Sequence, residues 1–169
     1  ITGINTIISD DPKMNSRGIK IYEGNPKYRV ILDNDGKLNK NHQIYKDKNL
    51  GKIVWFTGKS VDRSQLPDHI IHIKSSKIKI EINDVIKELD ILGCNSILIE
   101  AGGTLAGSFF DKRLVDKVYA FISPSIFGGK KSPNAIEGEG IDKIKDRINL
   151  KISSIEQLDE DILIIGRTD

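Results

Sequence analysis

The sequence predicts an α/β domain: three layers built on a mixed, mostly parallel central sheet, with an antiparallel strand pair at the C-terminal end. Three observations predict it. Short, continuous, β-branched apolar runs recur through the first half, the pattern of strands covered on both faces. Segments of helical period stand between the later runs, as strand–helix–strand units require. Two apolar runs then close the chain with a turn between them.

Taken in order, residues 4–8 (INTII) are β-rich and stop at Ser9-Asp10-Asp11-Pro12. Residues 28–33 (YRVILD) make a strand closed by the turn Asn34-Asp35-Gly36. Residues 52–57 (KIVWFT) make a second, closed at Gly58, and residues 69–73 (HIIHI) a third. The period then changes: Val85, Ile86, Leu89 and Leu92 recur at helical spacing, with Asn83 as N-cap and Gly93 as C′ residue. Residues 96–100 (SILIE) form a buried strand ending in Ala101-Gly102-Gly103. A second helix carries Leu105, Phe109 and Phe110 on one side and ends at Asp111-Lys112-Arg113. Residues 118–122 (VYAFI) are the next strand, 127–140 a long loop, and 150–153 with 162–165 the closing pair. Trp55, Phe109, Phe110 and Phe121 are assigned to the core.

Composition narrows the function. The chain has 169 residues, 38% of them hydrophobic, enough for one sizeable core in a single domain. Its 26 basic and 24 acidic side chains nearly cancel, which leaves no field to hold a nucleic-acid backbone or an anionic membrane. No apolar run is long enough for a membrane span, and the start has no signal-peptide character. A single cysteine, Cys94, excludes an internal disulfide and a CxxC pair, so a reducing cytoplasmic compartment is expected. His42, His69 and His72 share no metal-ligand spacing, and no metal site is expected. The chain opens on Ile1 inside a strand-like run, so residues upstream are expected. The lysine-rich stretch 37–52 is assigned to a solvated loop.

The strongest local signal is Glu100-Ala101-Gly102-Gly103-Thr104-Leu105-Ala106-Gly107-Ser108. A strand ends, two glycines turn the main chain, and a helix begins with free N–H groups and a favourable dipole for a phosphate. On the residues alone two readings stand open, a phosphate-binding turn and a tight turn without a ligand. The order GGxxxG is not the dinucleotide fingerprint, and Gly58-Lys59-Ser60 lacks the earlier glycine of a P-loop. Glu100, at a strand's carboxyl end beside that turn, sits where ligands collect in open α/β sheets.

Four segments in register, GINTIISDDPKMNSR, RVILDNDGKL, ILIEAGGTLAGSFF and LVDK…ISPSIFGG, resemble the reductase domain of the riboflavin-biosynthesis deaminase/reductase. The resemblance implies a dihydrofolate-reductase-like fold and an NADPH-dependent oxidoreductase. The implied reaction reduces the ribosyl group of 5-amino-6-(5-phosphoribosylamino)uracil to the ribitylamino product. It implies that Thr6 and Asp10 lie along NADPH, that Asn34 lies near the adenosine phosphate, and that Gly102 through Ser108 cradle the pyrophosphate. Met14 and Arg17 would meet the substrate, Arg17 at its phosphate, and Glu100 would bind substrate and manage the proton. A homodimer is implied too.

The sequence departs from the family in places. Asn34 stands where a small hydroxyl residue is usual and Lys37 where an arginine is common. The chain, residues 1–169, is expected to be the reductase domain without its first strand and helix. No HxE or PCxxC motif of the fused zinc deaminase occurs in it. Two alternatives share the fold: a 2,5-diamino-6-ribosylaminopyrimidinone phosphate reductase, and a truncated nucleotide-binding module without turnover.

Overall fold

β-Branched runs dominate the first part of the chain, and in the computed structural model they form a fully parallel sheet. The structure describes residues 1–15, 28–46, 50–62, 66–130 and 132–169. These divide into two compact units, Ile1–Gly102 and Gly103–Asp169.

In the first unit, β1 (Thr2–Gly3), β2 (Tyr28–Asp33), β3 (Lys52–Thr57) and β4 (Ile70–Lys74) pair in the order β1-β2-β3-β4, every pair parallel. Ile31, Ile53, Trp55 and Ile70 pack with Ile7, Leu38 and Ile44 in one apolar cluster. The strands lack polar alternation because they are covered: five of the six residues of β3 are buried.

Residues 4–8 are not a strand. Ile4–Asp10 is a helix, α1, in which Ile7 is fully buried. Ile4, Ile7 and Ile8 have i, i+3, i+4 spacing; burial of Ile7, with Ile4 packed against the same cluster, overrides the β-preference of isoleucine, while Ile8 stays 51% exposed. The helix stops where Asp11 enters the left-handed region at φ +44 and returns its N–H to the Ile7 carbonyl at 3.1 Å. Pro12 follows, as is common just past a helix end. The Asp11 carboxylate in turn accepts the Gln43 N–H at 2.8 Å, at the start of the short helix α2 (Gln43–Lys46).

The amphipathic segment forms α3 (Ile82–Ile91), burying Ile82, Val85 and Leu89. It starts one residue before the expected cap. Gly93 ends it at φ +77 as predicted, with its N–H on the Asp90 carbonyl and the Cys94 N–H on Leu89. Those two bonds make a complete Schellman motif. Among the described residues, 96–100 are tied to Ile1, just before β1, by two hydrogen bonds, from the terminal ammonium of Ile1 to the Leu98 carbonyl at 2.6 Å and from the Glu100 N–H to the Ile1 carbonyl at 2.9 Å. They do not form the expected buried strand. Leu98 is 63% exposed.

In the second unit, α4 (Gly103–Asp111) is followed by β5 (Lys117–Ile122), β6 (Leu150–Leu158) and β7 (Asp161–Thr168). These strands form an antiparallel sheet in the order β5-β7-β6. The closing pair is therefore as predicted, though longer, because the polar run of β6 still pairs as far as Leu158 opposite Asp161. The parallel and antiparallel strands expected in one mixed sheet are grouped in two hydrogen-bonded sheets among the described residues. Trp55 and Phe109 are buried as expected; Phe121 is not, and lies 65% exposed on β5.

Candidate active site

The residues singled out in the sequence fall into three groups. Met14 and Glu100 line one cavity of about 490 Å³ in the first unit, together with Asn15, Tyr28, Arg29 and Cys94. Met14 reaches it from a left-handed backbone position, φ +50, and also packs against the apolar cluster. The Glu100 side chain is exposed. Thr6 and Asp10 lie on α1 and do not line this cavity. Arg17 lies outside the described residues.

Arg29 was not singled out in the sequence. It sits inside β2 with 1% exposure, and its guanidinium donates to the carbonyls of Lys13 at 3.2 Å and Gly51 at 2.9 Å. A buried arginine inside an apolar strand is the signal that could have found it, because a cation is rarely taken into a core without a task. Here it holds the segment carrying Met14 against the sheet.

Asn34 belongs to a different place, the carboxyl end of β2. Its Oδ1 accepts the Ile80 N–H at 2.7 Å and its carbonyl accepts the Gly58 N–H at 3.1 Å. The loops after β2, β3 and β4 are thereby fastened together. Gly58 is required there, since a Cβ would overlap the Ile78 carbonyl oxygen and lie 2.7 Å from that of Asn34. Below this surface, buried Asp33 accepts from Trp55 Nε1 at 3.1 Å and from the Leu38 N–H at 2.9 Å. Lys37 pairs with Asp35 at 2.9 Å, and that hydrogen bond holds its ammonium above the ordinary lysine value.

The third group is the glycine turn with the start of α4, where Thr104, Leu105, Ala106 and Ser108 lie on the helix. The three glycines have different surroundings. A Cβ on Gly102 would meet nothing within 4 Å. At Gly103 it would overlap the Asn134 carbonyl oxygen and lie 2.9 Å from Glu137 Cγ; at Gly107 it would overlap the Glu137 main chain. The chain's own segment 134–138 thus accounts for two of them. The Thr104 hydroxyl donates to Glu137 Oε2 at 2.6 Å, and the Glu137 N–H donates to the Gly103 carbonyl at 3.0 Å. Gly102 remains the open position.

Among the described residues no cluster of His, Cys, Asp or Glu is arranged to hold a metal. No described helix is long and apolar enough to cross a membrane.

Comparison with known proteins adds a family. Residues 1–164 match the model of the RibD C-terminal domain. The chain is 30% identical to a 5-amino-6-(5-phosphoribosylamino)uracil reductase of Buchnera aphidicola, over 98% of this chain and 84% of the relative. It is 27% identical to the riboflavin biosynthesis protein RibD of Actinobacillus pleuropneumoniae, over 97% of this chain and 44% of that protein. The solved structure of Acinetobacter baumannii RibD, form 2, superposes with a TM-score of 0.81 at 26% identity, covering 99% of this chain and 46% of that one. The chain thus spans less than half the length of these RibD proteins. It is an α/β chain with the dihydrofolate-reductase-like fold of those reductase domains. The chain belongs to the RibD C-terminal domain family, whose reductases of riboflavin biosynthesis use a nicotinamide cofactor.

Proposed function

We propose that this chain catalyses the NADPH-dependent reduction of 5-amino-6-(5-phosphoribosylamino)uracil to its ribitylamino product. The observation that carries the reading is the meeting of Met14 and Glu100 on one cavity. The resemblance assigns both to the substrate, although they stand far apart in the sequence.

The cofactor supplies a hydride, and the rest of the chemistry falls to the protein. The acceptor is C1′ of the ring-opened ribosyl group, which is joined to nitrogen as an imine. Carbon gains the hydride, the nitrogen gains one proton, and the carbon–nitrogen double bond becomes single. Glu100 is the residue assigned to that proton. The remaining work is positioning, which can supply much of the rate in a two-reactant hydride transfer. Arg29 contributes by fixing the Lys13–Met14 segment, and Arg17 is assigned to the substrate phosphate. The open main chain at Gly102 suits a pyrophosphate, because a Cβ there would meet nothing within 4 Å among the described residues. Gly103 to Ser108 follow it as the helical part of the same cradle, with Thr6 and Asp10 assigned along the coenzyme.

A homodimer fits the second unit. On one face of its sheet Ile122 and Ile162, Ala120, Ile164 and Ile155, and Val118 and Ile152 stand in register. Of these, Ile152 is 55% and Ile155 63% exposed. A face this apolar calls for cover.

The test is NADPH oxidation by the full-length chain with the uracil substrate and, separately, with its 2,5-diaminopyrimidine counterpart. Turnover of the uracil substrate is the expected result. Turnover of the diaminopyrimidine alone would transfer the assignment to the activity named for a 25% identical Methanothermobacter thermautotrophicus reductase. Binding of NADPH with no oxidation would make the chain a nucleotide-binding module.

A further inference from the structure

Within the second unit, residues 133–140 are exposed, yet this segment is fastened to both ends of α4. At the first turn the Thr104 hydroxyl donates to Glu137 Oε2 at 2.6 Å, and the Glu137 N–H donates to the Gly103 carbonyl at 3.0 Å. At the last residue of the helix the Asp111 carboxylate accepts the Glu139 N–H at 2.9 Å and the Gly140 N–H at 3.3 Å. Between these two latches the main chain of Glu137 lies on Gly107, where a Cβ would overlap it.

Little apolar burial secures the segment, and its own isoleucine, Ile136, is 50% exposed. Solvent-exposed hydrogen bonds hold it, and bonds of that kind open locally without unfolding the rest. Gly138 at φ +105 and Gly140 at φ +70 flank Glu139 in the left-handed region, so the main chain can swing there at little steric cost. Asp111 is otherwise badly placed. A carboxylate at the C-terminal end of a helix opposes the dipole, and what it gains there is the pair of N–H groups from the segment. At the opposite end the closed segment sets acceptors against a turn that offers donors: the Asn134 carbonyl oxygen at Gly103 and the Glu137 carboxylate at Thr104. An anion drawn to that turn by its N–H groups meets repulsion from both.

We propose that residues 134–140 are an autoinhibitory strap, latched by Glu137 and Asp111, and that the closed strap and a dinucleotide pyrophosphate exclude each other at the start of α4. This rests on the nicotinamide-coenzyme reading above and adds to it a closed state that the coenzyme must displace. Glu137 is the internal substitute for the charge of the ligand. Asp111, at the far end of the helix and outside the residues assigned to the coenzyme, sets how often the strap opens. The apparent affinity is then the intrinsic one reduced by the fraction of chains whose strap is open.

The experiment is hydrogen–deuterium exchange of the full-length chain, followed by mass spectrometry on peptides spanning 133–141, with and without saturating NADPH. Calorimetric titration of NADPH runs beside it. NADPH is expected to bind and to speed exchange of those amides by roughly threefold or more, as release of their hydrogen bonds implies. Asp111→Ala removes the far latch. It should exchange rapidly in 137–140 without ligand and bind NADPH roughly threefold to tenfold more tightly than the wild type. Asp111→Asn, which keeps one acceptor, should lie between the two. A latch with a purely structural role would leave the affinity of Asp111→Ala unchanged or lower it. That result, or NADPH that slows exchange in 133–141 or leaves it unaltered, overturns the strap while the coenzyme reading stands. If Asp111→Ala fails to fold, exchange in the wild type decides alone. Absence of NADPH binding in the wild type overturns the coenzyme reading and the strap with it.

Discussion

The Thr104 hydroxyl donates to the Glu137 carboxylate at 2.6 Å in the first turn of α4. An acidic side chain therefore stands at the helix end to which the pyrophosphate is assigned. A carboxylate there gains from the helix dipole, and it repels a second anion. Glu137→Gln keeps the hydrogen-bonding shape and removes the charge. It should tighten NADPH binding by roughly threefold to tenfold, measured by fluorescence titration, in line with the worth of one charge at a helix terminus. Unchanged or weaker binding would mean that the coenzyme does not approach this turn.

The surroundings of the glycines separate fold from function. Gly107→Ala drives a Cβ into the Glu137 main chain and should lower stability by about 1–3 kcal/mol, read from the urea midpoint. Gly102→Ala meets open space. It should leave that midpoint nearly unmoved, within about 0.5 kcal/mol, while weakening NADPH binding. Equal loss of stability in both variants would make the turn merely structural.

Glu100→Gln isolates the proton. The amide keeps the size of the side chain and cannot act as the acid. The kcat should fall by about a hundredfold or more, with the Kd for NADPH within a factor of about two. A kcat near the wild-type value would remove Glu100 from proton management.

Much of the fold was legible in the sequence. The parallel strands carry continuous β-branched runs, α3 carries its period, and Gly93 marks its end. What escaped was decided by tertiary context. Ile4, Ile7 and Ile8 suit a strand by residue type and a helix by spacing, and burial of Ile7 chose the helix. Residues 96–100 have the composition of a buried strand but join no sheet among the described residues. At the site, residue spacing alone could not bring Met14 to Glu100; only the resemblance set both at one substrate. Sequence could not show that Glu137 returns to Gly103 and Gly107. Arg29 was hidden in a strand that seemed wholly apolar in purpose.

The apolar face of the second unit yields a prediction on assembly. Ile155→Lys places a charge on a 63% exposed position of β6, where it costs little within the protomer. If that face is the dimer contact, sedimentation equilibrium should show the wild type as a dimer and the variant as a monomer. A dimer that survives the substitution would place the contact elsewhere.

The central claim is hydride delivery to the ribosyl carbon, and an isotope tests it most directly. The full-length chain is incubated with the uracil substrate and NADPH carrying deuterium at the transferable position of the nicotinamide, and the product is analysed by mass spectrometry. The account predicts a ribitylamino product heavier by one deuterium, located at C1′. Unreacted substrate, or a reduced product without the label, would contradict it.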